Sequence, residues 1–129
     1  MMQQNKPSKP FPNEEFVLWV IEEEFKRRGY DPAPLLHHDL VLEHPEGRRW
    51  KIEAKSASAN PQVDMNTVLG QIIRRMDNPQ SFYGVAFPKG FGYEERFQEV
   101  SDWVKQRLNL YLFIVREDGF LEEPPDAPI

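Results

Sequence analysis

Residues 39–56, DLVLEHPEGRRWKIEAKS, decide the fold. Pro45-Glu46-Gly47 is a turn signal between two alternating runs. A three-residue hairpin loop ends on a residue in the left-handed region, where glycine carries no Cβ penalty. Pro45 suits the first turn position because its φ is already fixed. That loop sets His44 against Arg48, Leu42 against Trp50 and Leu40 against Ile52. On the other face Glu43 meets Arg49, Val41 meets Lys51 and Asp39 meets Glu53. One face is apolar and the other mostly charged, the pattern of a half-buried hairpin. A slip of one residue would set Leu42 against Lys51. The spacing therefore predicts strands over about 37–44 and 48–55.

The register has one anomaly. Asp39 and Glu53 face each other although like charges there repel. Lys55 lies two residues beyond Glu53, on the same face. Two carboxylates beside a lysine suit a hard cation with oxygen ligands. The competing reading is a solvated polar face.

Working outward, Asn13 predicts an N-cap, with Glu14 and Glu15 in the first turn where the helix dipole favours anions. That helix should run to about Arg28 and stop at Gly29. Tyr30 to Leu36 reads as an irregular approach that carries a short edge strand. Asn60-Pro61 opens a second helix, to about Met76, whose apolar stripe is Met65, Val68, Leu69, Ile72 and Met76. Ser81 to Phe87, SFYGVAF, is apolar on both faces and reads as a central strand. Tyr93 to Leu108 is predicted as one amphipathic helix, through Phe97, Val100, Trp103, Val104 and Leu108. Tyr111 to Val115 is a second buried strand, and Glu117-Asp118-Gly119 turns the chain into a short return at Phe120-Leu121. A hairpin followed by alternating helix and strand gives an α/β fold, a mixed sheet sandwiched by helices.

The chain has 129 residues, 40% hydrophobic and 29% charged, enough for one domain with a real core. A flexible arm over 1–12, a domain over 13–123 and a disordered tail over 124–129 are expected. There is no cysteine, which excludes disulfides, thiolate zinc and a cysteine nucleophile. No apolar run approaches a membrane span and no signal-peptide core is present, so the cytoplasm is the default location. A net charge of −5 argues against strong non-specific binding of DNA through the whole surface. Local basic clusters stand at Lys26-Arg27-Arg28, at Arg48, Arg49 and Lys51, and at Arg74-Arg75. His37, His38 and His44 lack the spacing of a zinc site.

With these elements in order, the chain resembles the PD-(D/E)XK, or restriction-endonuclease-like, nuclease superfamily. That core has a helix, a strand meander, a helix and a strand, with an acid on the second core strand and Glu-x-Lys on the third. Asp39 and Glu53-Ala54-Lys55 match those positions, and Gln71 in LGQIIRR matches the polar residue of the following helix. Glu14, Glu15 or Glu22 could supply the first-helix carboxylate of some members, with Glu15 preferred. The style is nearest to small Holliday-junction resolvases and restriction-type nucleases. Two departures are His38 where a proline is usual, and Arg75 where the RecB-like branch has tyrosine four residues after the glutamine.

The resemblance implies hydrolysis of DNA, with Asp39, Glu53 and the Ala54 carbonyl on Mg²⁺ or Mn²⁺. Lys55 would assist the attacking water, with Gln71 and Glu15 beside it. A core this small would act as a homodimer or with a separate recognition subunit. The same chemistry would serve RNA. The alternative is an inactive nuclease-fold scaffold or binding module.

Overall fold

The structure is a computed structural model that describes residues 7–34 and 40–129. Asp39, His37 and His38 lie outside the described residues. Helix α1 spans Glu14–Arg27, and a short strand β1 follows at Asp31–Pro32. Strands β2, Leu40–Glu43, and β3, Arg49–Ala54, form the hairpin, followed by helix α2 over Pro61–Arg74. Strand β4 spans Phe82–Pro88, helices α3 and α4 span Tyr93–Gln98 and Asp102–Leu108, and β5 and β6 span Leu110–Val115 and Leu121–Glu122.

The six strands form one sheet in chain order. The β3–β4 and β4–β5 pairs are parallel and the other neighbours antiparallel. The result is a mixed α/β fold. Parallel neighbours need a crossover, and α2 supplies the one between β3 and β4.

The hairpin register is the one its sequence predicts, with Leu40 opposite Ile52, Val41 opposite Lys51, Leu42 opposite Trp50 and Glu43 opposite Arg49. The loop closes by His44 N donating to Arg48 O at 2.9 Å and Gly47 N to His44 O at 2.8 Å, with Gly47 at φ 102°. Both long helices are capped as expected. Asn13 Oδ1 accepts from Glu15 N at 2.9 Å, and Asn60 Oδ1 accepts from Val63 N at 3.1 Å.

The alternation of strand side chains divides the core into two layers. Leu40, Leu42, Trp50, Ile52 and Phe113 pack against Val17, Val20, Ile21 and Phe25 of α1. Tyr83, Val85, Phe87 and Ile114 pack against Met65, Val68 and Ile72 of α2 and Tyr93 and Phe97 of α3.

Three expectations need correction. The predicted helix over 93–108 is two helices, because the chain is extended at Ser101 (φ −60°, ψ 143°) and restarts at Asp102. Trp103, assigned to its apolar stripe, is 64% exposed. The tail is anchored: Pro128 O accepts from Trp50 Nε1 at 3.3 Å and from Tyr30 Oη at 3.4 Å, while Ala127 and Ile129 pack on the α1-side core. The arm is held at its inner end, where Ala57 N donates to Pro12 O at 3.2 Å and Phe11 stacks edge-on with Phe16.

Candidate active site

The charged face of the hairpin is solvated at Glu43 and Arg49 but lies under a helix at Lys51 and Glu53. Alternation along β3 sends Lys51 and Glu53 toward α2, where both are about 1% exposed. Lys55 follows on the same side just past the strand, its backbone N still bonded to Ala86 O at 3.2 Å. Buried charges require partners, and α2 with the turn after it supplies them in sequence. Lys51 Nζ pairs with Asp77, just beyond the helix. Glu53 receives Arg75 Nη1 on both oxygens, at 3.0 and 2.8 Å. Lys55 Nζ lies 3.8 Å from Asp64 Oδ1. A +−+ series on the strand thus faces a −+− series on the other element.

The three rungs differ. Burial, then the neighbouring Arg49, pushes the Lys51 ammonium below its ordinary value, while its partner Asp77 is largely in water. Arg75 caps the C-terminal end of α2, and its side chain is 36% exposed over a sealed Glu53. Asp64 is buried in the first turn of α2 and accepts from Ser58 Oγ at 2.6 Å and Tyr93 Oη at 2.7 Å. With two short hydrogen bonds on that carboxylate, Lys55 is its loosest partner.

The sequence-derived candidates fall as follows. Glu53, Ala54 and Lys55 stand together at the end of β3, one strand in from β2. Asp39 lies outside the described residues. Gln71 is half-buried on α2, one helical turn before Arg75 and therefore on the same side. Glu15, the preferred first-helix carboxylate, is exposed and lies 3.5 Å from Ser8 Oγ. Glu22 is paired with Lys26 at 3.1 Å. Glu14 is the α1 acid that reaches this end of the strand, its backbone N donating to Ser56 Oγ at 2.8 Å. His44 belongs to the hairpin turn, its Nδ1 accepting from Glu46 N at 3.0 Å.

Sequence reasoning missed Asp64 and Tyr93. It placed Arg75 in a local basic cluster and as a departure from a tyrosine, not as the partner of Glu53. Among the described residues no three Asp, Glu or His side chains converge as a metal cage. The basic clusters are largely neutralised, Lys26, Arg27 and Arg28 by Glu22, Glu23, Glu24 and Glu123, and Arg48 and Arg49 by Glu46 and Glu43. No described helix is long and apolar enough to cross a membrane.

No protein-family model matches the chain, and no curated protein matches it. Among solved structures it is similar to an XisH family protein from Nostoc punctiforme. The two share 17% identity at a TM-score of 0.60, over 84% of this chain and 97% of that one. At that identity the likeness is one of fold alone.

Proposed function

We propose that this chain is a metal-dependent nuclease that hydrolyses phosphodiester bonds in DNA. The observation that carries the reading is Glu53 and Lys55 side by side at the end of β3, the carboxylate sealed and the ammonium about one third exposed. Carboxylate and carbonyl oxygens are the donors a hard divalent cation takes, and among the described residues Glu53 and Ala54 are those this reading assigns. Both oxygens of Glu53 already hold one cation, the Arg75 guanidinium. Glu53, the Ala54 carbonyl and, by the hairpin register read from the sequence, Asp39 would hold Mg²⁺ or Mn²⁺. Such an ion, when bound, lowers the pKa of a water and neutralises phosphate charge.

The protein's own residues do the rest. Lys55 orients or deprotonates the attacking water and stabilises the charge that develops on the phosphoryl oxygens. Asp64 holds the Lys55 ammonium at that position. Gln71 orients the water or a phosphate oxygen, and α1 approaches through Glu14 in place of Glu15. A core of this size acts as a homodimer or beside a recognition subunit.

The test is cleavage of supercoiled plasmid, single-stranded DNA and a four-way junction with Mn²⁺. Lys55→Ala should lower the rate about 10²–10⁴-fold, the usual contribution of a proton-handling group. Equal rates in the two proteins would remove Lys55 from the mechanism.

One observation favours a second reading, an inactive scaffold with this fold. The three ion pairs between the β3 segment and the α2 region give Lys51, Glu53 and Lys55 each a partner without a ligand. A scaffold would show no rise in Tm with Mn²⁺, whereas a nuclease gains stability from any ion that binds only the folded state.

A further inference from the structure

We propose that the free half of strand β5 is a docking edge for a second copy of this chain, paired antiparallel about Tyr111. The proposal stands apart from the nuclease chemistry. Alternation along β5 gives each backbone group a direction. Asn109 O accepts from Tyr83 N and Val115 O accepts from Lys89 N, both at 2.8 Å, so odd-numbered residues bond toward β4. Arg116 N donates to Phe120 O at 2.9 Å and Ile114 pairs with Glu122, so even-numbered residues bond toward β6. The β6 pairing covers Ile114 and Val115. Continued, its register would set Leu112 against Pro124, which has no N–H. The chain instead turns away at Pro125-Asp126, with Ala127 N donating to Pro124 O at 3.3 Å. Among the described residues no backbone hydrogen bond joins Leu110 or Leu112 to that side. A cavity of about 490 Å³ lies along the edge, lined in part by Phe97, Leu110, Tyr111, Leu112 and Pro124.

An open edge is a template for another strand, and its sequence selects the occupant. The free groups sit on two residues of Leu110-Tyr111-Leu112, which reads the same in both directions. An antiparallel copy with Tyr111 facing Tyr111 sets Leu110 against Leu112 at both ends. Each Leu110–Leu112 pair exchanges two bonds, so every free N–H and C=O of both edges is used. The tyrosines form the non-bonded pair between them, with Cα atoms about 4.5 Å apart. Aromatic pairs at such positions stabilise a sheet. The same patch serves both copies, the form of contact that closes as a two-fold dimer. The ends of the opening fit as well. Asn109 (φ 52°) turns each chain out of the sheet into α4. Ile114 of either copy would lie opposite Leu108 of the other, where α4 has already left the sheet, so the place beside Ile114 stays free for β6. The margin carboxylates do not oppose the pairing as bare charges, since Glu122 holds Lys89 and Arg116 and Glu123 holds Arg28.

The experiment is sedimentation of the full chain over a dilution series, for wild type, Leu112→Pro and Leu112→Lys. Wild type should sediment as a dimer at the concentrated end. The Leu112 N–H faces out of the chain's own sheet, where an edge tolerates proline, but each copy then loses a donor. Self-association should weaken about 10–100-fold. Leu112→Lys keeps the backbone groups and sets a charge on the edge. It should weaken association as well, and it covers the case in which the proline variant does not fold. The chain has no cysteine, so Tyr111→Cys supplies one thiol per copy at the two-fold axis. Mild oxidation should link that variant as a disulfide dimer, whereas Trp103→Cys, on the exposed face of α4, should stay unlinked. A wild type that is monomeric throughout would overturn the proposal and leave the edge to an extended segment of another protein. A dimer that resists both changes at Leu112, or a folded Tyr111→Cys protein that does not link, would also overturn it. DNA cleavage enters neither readout, so the nuclease reading is untouched by either result.

Discussion

Tyr93 donates its hydroxyl to a carboxylate that is itself buried, and the phenol is pushed from its ordinary 10.0 up to about 12, first by burial and then by that bond to Asp64. The neutral phenol is the form the fold prefers. Its stabilisation is therefore complete below pH 10 and is lost as pH rises toward 12. Tyr93→Phe keeps the ring stacked on Phe87 at 4.1 Å but removes the donor. The variant should lose about 1–3 kcal/mol at pH 8. That deficit should shrink between pH 10 and 12, since wild type alone carries the penalty there. Urea unfolding at several pH values measures it, and a deficit that stays constant would sever the link between Tyr93 and Asp64. Neither residue was legible as part of a site. In the sequence Asp64 is one more acid in a first turn, where the helix dipole accounts for it. Only the path of α2 back over β3 brings it to Lys55. Arg75 was hidden for a similar reason, because an arginine near a helix end needs no further explanation. Glu53 and Lys55 could be read because strand alternation fixes their shared side without any knowledge of what covers it.

The hairpin register from Leu40–Ile52 to Glu43–Arg49 was legible because turn chemistry and a period of two constrain it independently. The helices from 93 to 108 were not. Phe97, Val100, Val104 and Leu108 keep helical spacing across a break, so periodicity sees one element. The signal available was Ser101-Asp102, a helix N-cap pair in the middle of the pattern. Strand β4 was read as central, and its cost lies in Gly84. A Cβ there would sit 2.7 Å from Phe113 Cε2 and 3.3 Å from Ile52 Cγ1. The glycine lets the Phe113 ring cross the middle strand and reach α1. Gly84→Ala should destabilise by about 1–3 kcal/mol through overpacking. Pairing it with Phe113→Leu should return part of that loss, because the two changes share one space. Denaturation midpoints of the two singles and the double decide it, and simple additivity would mean that the ring is not what the methyl meets.

At the scale of the whole molecule the sheet separates two tasks. Its α2 side carries the ion-pair series and the candidate site, while its α1 side carries the larger aromatic core around Trp50 and Phe113. The C-terminal segment joins the second of these. Its sequence, rich in proline and without periodicity, reads as a loose end, because nothing local says that two buried donors elsewhere need a carbonyl. Trp50 Nε1 and Tyr30 Oη both find it at Pro128. Removing residues 127–129 takes away that acceptor and the apolar cover of Ala127 and Ile129. The truncated chain should lose about 2–4 kcal/mol, from the unsatisfied donors and the exposed apolar surface together. Its effect should be confined to one side of the sheet. With Trp19 and Trp103 replaced by phenylalanine, Trp50 is the sole indole, and its emission should shift to the red on truncation. Mn²⁺ titration of the same truncated chain should match the full chain, because Glu53, Lys55 and Arg75 all face the other way. A changed Mn²⁺ affinity would mean that the two sides are coupled through the sheet. The hydrogen bond from Glu14 N to Ser56 Oγ, where α1 meets the end of β3, is the contact through which that coupling would run.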